Sequence, residues 1–360
     1  MKQDSYNSSQ LTAHSSQLTA HSNSCAQDTY NKPQFVVLGN SIGGFVPSAE
    51  SGGALLTRKI TSKLIRLLLI THISRKINRI INLPFKSIWD KLIINGESIN
   101  YDNDVYFIFT ESYRLAYSRD YLRHLRKKYR KCKLIFYFRN ALVDKELRLT
   151  ERWNAVKDCY DAGITFNRSD SEKLGVLFTD YWPCLLPEKK FEPENQSDIF
   201  FVGQAKDRLN KILSVYEKLK GAGLKCDFWI SGVPENEQKY ADDIHYMSEA
   251  TLYFLTYDEV LQHVMNAKCV LEILPFGQNY SSLRVNESLW YHKKLLTTNL
   301  EAPSEWFYHP ETVQVFSDAE EINTEFISCP LSPEDEHRIY DNMNIGDWNI
   351  FADFIIRNVH

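Results

Sequence analysis

The sequence predicts an α/β fold: two successive doubly wound domains facing a central cleft. Three observations carry this. The chain has 360 residues, more than one ordinary domain holds. Short apolar runs alternate with helical patterns, as in parallel sheets built from strand–helix–strand units. The alternation then restarts beyond a proline-rich stretch at 181–196 (YWPCLLPEKKFEPENQ), which reads as an interdomain linker and also divides two charge regimes. Residues 1–185 carry 27 Lys and Arg against 17 Asp and Glu, whereas residues 186–360 carry 15 against 29. A sign asymmetry of this size points the basic half toward a polyanion or an anionic membrane.

With 43% hydrophobic and 24% charged residues the chain can bury large cores, which excludes fibrous and wholly disordered classes. Its longest aliphatic run, Leu67-Leu68-Leu69-Ile70, falls far short of the ~18 apolar residues of a membrane span. The polar N-terminus lacks a basic-then-apolar leader, so a cytosolic location is expected. Seven scattered cysteines without a CxxC argue against a disulfide framework, and neither they nor the ten histidines show metal-ligand spacing. No metal is expected.

In chain order, residues 1–32 are polar and repeat SSQLTAH, which predicts a disordered tail. A buried strand at 34–39 (QFVVLG) leads into GNSIGG, with Gly39, Gly43 and Gly44. This is how a dinucleotide-type domain begins, but without GxGxxG the loop equally suits a tight strand-to-helix turn. Residues 54–94 hold nine basic residues between 58 and 91, among them Lys63, Arg66, Arg75 and Arg79, with Asp90 as the one acid. Aliphatic residues interleave at helical spacing, and Phe85 and Trp89 follow Pro84. The stretch suits an anionic membrane surface, or a helix packed on the sheet with its basic face in solvent. Strands follow at 104–110 (DVYFIFT), 133–138 (KLIFYF) and 163–166 (GITF), with a basic helix at 121–131.

In the second half, strands are expected at 198–202, 226–231, 269–274, 294–298 and 312–316. Helices are expected at 207–220, 259–266 (capped by Asp258) and 284–292, with helical patterns at 318–328 and 346–357.

Open α/β sheets bind ligands outside the carboxyl ends of their strands. Three groups of the second half would stand there. Gly203 ends a strand, and Lys206 and Arg208 begin a helix, an arrangement that suits a diphosphate or a merely solvated helix start. Ser231-Gly232 would let a base or ribose approach closely. The most specific is 275–289 (PFGQNYSSLRVNESL), a polar loop feeding a helix on which Arg284 and Glu287 share a face. The plain alternative for that pair is an ion pair within the helix.

The run 257–299 resembles the donor-binding half of bacterial GT-B glycosyltransferases, closest to a group associated with surface polysaccharide and lipopolysaccharide synthesis. The resemblance lies in a YxE helix, a Gly-Gln loop, an Arg-x-x-Glu helix and the strand KLLTTN. DIFFVGQAKDR and CDFWISG upstream, and WNIFADFII at 348–356 as a closing helix, also fit. The resemblance implies that Glu287 contacts the nucleotide ribose. Arg284, with Lys206 and Arg208, would hold the diphosphate and stabilise the leaving nucleotide. Gly277, Gln278, Ser281 and Ser282 would meet the sugar and phosphates. It implies neither an essential metal nor a cofactor, the nucleotide sugar being the donor substrate. Many retaining members carry a second Glu where this chain has Asn279, so the anomeric outcome stays open. Glu111 and Asp144 at first-domain strand ends, or Asp170, are candidates for a general base; each is also a plausible cap or surface charge.

The expected organisation is therefore a tail over 1–32, a basic acceptor- and membrane-facing domain over 33–185, a donor domain over 186–345 and a closing helix over 346–360. The expected function is transfer of a sugar from a nucleotide sugar to a lipid-linked, lipopolysaccharide or capsular acceptor at the cytoplasmic membrane face. Rival readings are a polyol-phosphate transferase or sugar epimerase of the same fold, and a non-catalytic membrane-associated sugar- or nucleotide-binding adaptor. Nucleic acid is not an expected partner, since the basic half has no recognisable module for it.

Overall fold

A computed structural model describes residues 33–38, 55–56, 99–111, 114–138, 147–181, 186, 197–239, 241–248, 254–276, 278, 280–343 and 345–360. The tail at 1–32, the GNSIGG loop, the basic segment at 58–91, most of the stretch at 181–196, Asp144, Gly277 and Asn279 lie outside them.

The first sheet holds β1 (Gln34–Leu38), β2 (Leu55–Leu56), β3 (Val105–Thr110), β4 (Cys132–Phe138), β5 (Ala162–Thr165) and β6 (Leu177–Phe178). All pairings are parallel, in the order β2-β1-β3-β4-β5-β6. Every residue of β3 is buried, as expected of a strand covered on both faces. The two-residue period sorts the side chains. Val36, Leu38, Phe107, Phe109, Leu134 and Phe136 face α1 (Arg119–Lys128), which buries Tyr121, Leu122 and Leu125 among them. Ser118 caps α1, and Arg126, Lys127 and Lys128 sit at its negative end. Helices α2 (Leu147–Asn154) and α3 (Arg168–Leu174) follow.

The second sheet holds β7 (Ser197–Gln204), β8 (Cys226–Ser231), β9 (Ile244–Met247), β10 (Ala267–Glu272), β11 (Lys294–Thr297) and β12 (Val313–Val315). It is also parallel throughout, in the order β12-β11-β10-β7-β8-β9. Renumbered from its own first strand and read from the other edge, this is the 3-2-1-4-5-6 order of dinucleotide folds, with its reversal between β7 and β10. Helices α4 (Leu209–Gly221) and α7 (Thr324–Ser328) cover one face, burying Ile212, Val215, Leu219 and Ile327. On the other face α5 (Tyr257–Asn266), α6 (Leu283–Trp290) and α8 (Pro333–Tyr340) bury Val260, Val264, Val285, Leu289 and Tyr340.

The last helix, α9 (Trp348–Asn358), returns to the first sheet. Trp348, Phe351, Ala352 and Ile355 pack on Phe35, Val37, Tyr106, Ile108, Ile135 and Tyr137. Trp348 meets Phe35 edge-on at 5.6 Å between ring centroids. Two doubly wound lobes with a closing helix is thus the observed fold, in the arrangement expected from the resemblance.

Some details depart from expectation. Thr256, not Asp258, caps α5: its hydroxyl accepts from Glu259 N while Glu259 reaches back to Thr256 N, a reciprocal box that Asp258 cannot make. Gly203 lies within β7 rather than past its end, because pairing with β8 continues to Gln204.

Candidate functional site

The strand order reverses between β7 and β10, the place where open α/β sheets bind ligands outside the carboxyl ends of their strands. Gly203 stands near the end of β7, and the β7–α4 loop that follows holds Lys206 and Arg208. The Arg208 guanidinium folds back over the strand, its Nε donating to Gln204 O at 3.1 Å and its charge 5.9 Å from the Phe201 ring. Gly203 makes this possible: a Cβ there would meet Arg208 Nη2 at 2.8 Å. Burial pulls the Arg208 pKa down, while Asp207 and Glu272 pull it up. Lys206 is exposed with φ of 44°, a left-handed conformation of the kind that collects at ligand loops. Ser231 is buried, its carbonyl accepting from Ala205 N at 2.8 Å, and Gly232 takes φ of 73°.

The β10–α6 loop is tied to this one through Phe276 N, which donates to Asp207 Oδ2 at 3.1 Å. It is braced from below by Glu272, a residue that reads from sequence as one more buried strand position. Glu272 Oε1 accepts from Ser282 N at 2.6 Å and Oε2 from Thr297 Oγ1 at 2.6 Å. Ser281 accepts from Asn299 Nδ2 at 3.1 Å, and the Gln278 amide donates to the Tyr280 hydroxyl. Phe276 stands 92% exposed at the tip. The sequence placed it in the polar loop but gave it no role.

Arg284 and Glu287 pair within α6, Nη1 to Oε2, at 2.5 Å. Glu287 is fully buried. Burial pushes its pKa up to about 7, with the Arg284 charge and the Tyr257 hydroxyl pulling it down. Glu287, expected to contact the ribose, is buried beside Arg284 and is not among the residues lining the crevice between the lobes. The crevice-lining residues of α6 and its cap are Ser282, Val285 and Asn286.

A crevice of about 170 Å³ lies between the lobes, and no residue of the β7–α4 loop lines it. The first lobe supplies Phe166, Arg168, Phe178 and Asp180. The second supplies Tyr280, Ser281, Ser282 and Asn286, and beyond β11 also Glu301, Glu305, Trp306 and Phe307. Contacts across it hold the lobes together. The Phe166 and Tyr280 rings meet at 5.0 Å, Trp306 Nε1 donates to Asp180 O at 3.1 Å, and the Tyr181 and Trp306 rings lie 5.3 Å apart. Arg168 sits 4.2 Å over the Phe178 ring. Burial, then the Asp180 charge and a hydrogen bond with Asp180, push the Glu305 pKa up to about 7, while Arg168 opposes this. Burial and the Asp170 charge also raise the Tyr280 pKa.

Of the expected bases, Glu111 follows β3 directly, its carbonyl accepting from the Tyr117 hydroxyl at 3.0 Å, and it is not among the residues lining the crevice. Asp170 is buried near Tyr280. Among the described residues no group of His, Cys, Asp or Glu is arranged to hold a metal ion.

No family model and no curated protein matches the sequence. Solved structures do. TarM matches with a TM-score of 0.41 and 10% identity over 78% of this chain and 56% of that one, so the chain spans little more than half of TarM. The glycosyltransferase SnogD from Streptomyces nogalater matches with a TM-score of 0.40 and 12% identity over 89% and 98%. A UDP-forming α,α-trehalose-phosphate synthase from Burkholderia xenovorans matches with a TM-score of 0.48 and 11% identity over 91% and 99%.

Proposed function

We propose that the protein is a glycosyltransferase that uses a nucleotide sugar. The observation that carries this reading is the crevice between two doubly wound lobes. Its aromatic walls suit the C–H face of a sugar ring, and its serines, amide and carboxylates suit hydroxyls. At about 170 Å³ it is smaller than the several-hundred-Å³ sites of whole cofactors, and of a size with one sugar ring. The nucleotide would extend outward along the β7–α4 and β10–α6 loops. There Lys206 and Arg208 meet the diphosphate, while Gln278, Ser281 and Ser282 hold the junction of phosphate and sugar. Arg284 acts from behind, through its pair with Glu287. As the bond to the sugar breaks, charge grows on the departing diphosphate, and the cations and backbone N–H groups stabilise it.

The acceptor in this reading is a lipid-linked or lipopolysaccharide glycan at the cytoplasmic face of a membrane, with the basic segment 58–91 docking on anionic lipid. The charge division of the sequence supports this. Among the described residues no helix is long and apolar enough to cross a membrane.

The test is incubation with radiolabelled UDP-, GDP-, CMP- and ADP-sugars and a bacterial envelope extract. Label moving into the lipid or glycan fraction supports transfer. Release of a free epimer, or no turnover with any donor, rejects it. Flotation with anionic liposomes that is lost at high salt supports the docking.

A further inference from the structure

Resting on the sugar-transfer reading, we infer that the Asp180–Glu305 carboxyl pair is the general base that receives the proton of the acceptor hydroxyl, and that the transfer inverts the anomeric centre. The two carboxyls come from different lobes and both line the crevice, near enough for the Asp180 charge to act on Glu305. Burial and the neighbouring negative charge make Glu305 hold a proton more readily than a free carboxyl does, which suits a group that must accept one near neutral pH. Glu305 faces Asp180, Arg168 and Glu301; Arg168 favours its ionised form and the two acids oppose it.

An independent observation indicates that a ligand hydroxyl belongs here. Asn286 lines the same crevice, is only 5% exposed, and has its amide oxygen buried without a hydrogen-bond partner. A buried acceptor left unbonded is costly, and a ligand O–H would satisfy it. The aromatic rings around it leave room for a ring of sugar size and little more.

The step balances as a single displacement. The acceptor oxygen forms its bond to the anomeric carbon as the bond from that carbon to the phosphate oxygen breaks. The electron pair leaves on the nucleoside diphosphate, and the hydroxyl proton ends on the Asp180–Glu305 pair. One displacement at carbon inverts its configuration. Because the base is divided between lobes, it is complete only when they are together.

The experiment measures wild type, Glu305→Gln and Asp180→Asn with whichever of the UDP-, GDP-, CMP- or ADP-sugars the wild type turns over. Wild-type kcat/KM should rise with pH along a limb near 7. Glu305→Gln should keep its melting temperature and KM within a few-fold while kcat falls about 10²–10⁴-fold. Asp180→Asn should move the limb to lower pH, since a negative neighbour is gone, a displacement that a merely structural role would not produce. Proton NMR of the product should show the inverted anomer. Unchanged kcat and limb in both variants, or a retained anomer, overturns the assignment of the base alone. A wild type that turns over no donor overturns the sugar-transfer reading itself, and this inference with it.

Discussion

Replacing Glu287 by Gln tests the electrostatics of α6 in isolation. The carboxyl is fully buried and its pKa stands at about 7 rather than the ordinary 4.5. At about 1.4 kcal/mol per pH unit, that displacement amounts to ~3 kcal/mol. The sign follows from proton counting. Between the two values the folded state holds a proton that the unfolded chain has released, so stability falls as pH rises. The contribution is fully present below 4.5 and is lost as pH climbs through 7. Glu287→Gln cannot ionise. It leaves a neutral group beside Arg284 at every pH, like the protonated acid of the wild type at low pH, and it sheds the pH-dependent part. Urea unfolding followed by tryptophan fluorescence at pH 5, 6, 7 and 8 reads the difference between variant and wild type. The variant should gain roughly 2–3 kcal/mol on wild type between pH 5 and 8. A difference flat across that range would show that Glu287 is ionised throughout, and the burial argument would be wrong.

Other expectations are independent of this one. Gly203→Ala puts a methyl where Arg208 now lies; affinity for UDP or GDP, by titration calorimetry, should fall about tenfold while the melting temperature stays within a few degrees, since the displaced group is the end of a flexible side chain. Glu272→Ala removes the acceptor for Ser282 N and Thr297 Oγ1, so stability should drop by about 1–3 kcal/mol and amide exchange in 275–283 should quicken. Thr256→Ala breaks the capping box of α5 and should cost ~1 kcal/mol in denaturant unfolding. Trp348→Ala empties the seam between α9 and the first sheet and should cost about 3–5 kcal/mol in the same assay.

The strands of both sheets were legible wherever burial on two faces leaves an apolar run, as in VYFIFT or LIFYF. What escaped were elements too short or too polar to carry a period. Strand β6 has two residues, β9 has four at a sheet edge, and α8 (PEDEHRIY) buries little beyond Ile339 and Tyr340. The loops at the β7/β10 switch point were legible because glycine, hydroxyl and basic residues there have no role in a core. The orientation of Glu287 was not: spacing put it on one face with Arg284 but could not say whether that face met solvent or the protein. Asp180 and Glu305 were invisible for a different reason. They lie far apart in the chain, each looks like an ordinary surface acid, and only the packing of one lobe against the other gives them a shared environment.

The return of α9 to the first sheet also bears on how the chain is made. The face formed by Phe35, Val37, Tyr106, Ile108 and Tyr137 stays open until residues 348–359 have been synthesised. The lobe begun first is therefore finished last, and translation leaves an oily surface waiting through the whole second lobe. A ribosome stalled or terminated before residue 348 would release a sticky intermediate, one for holdase chaperones to shield or proteases to clear.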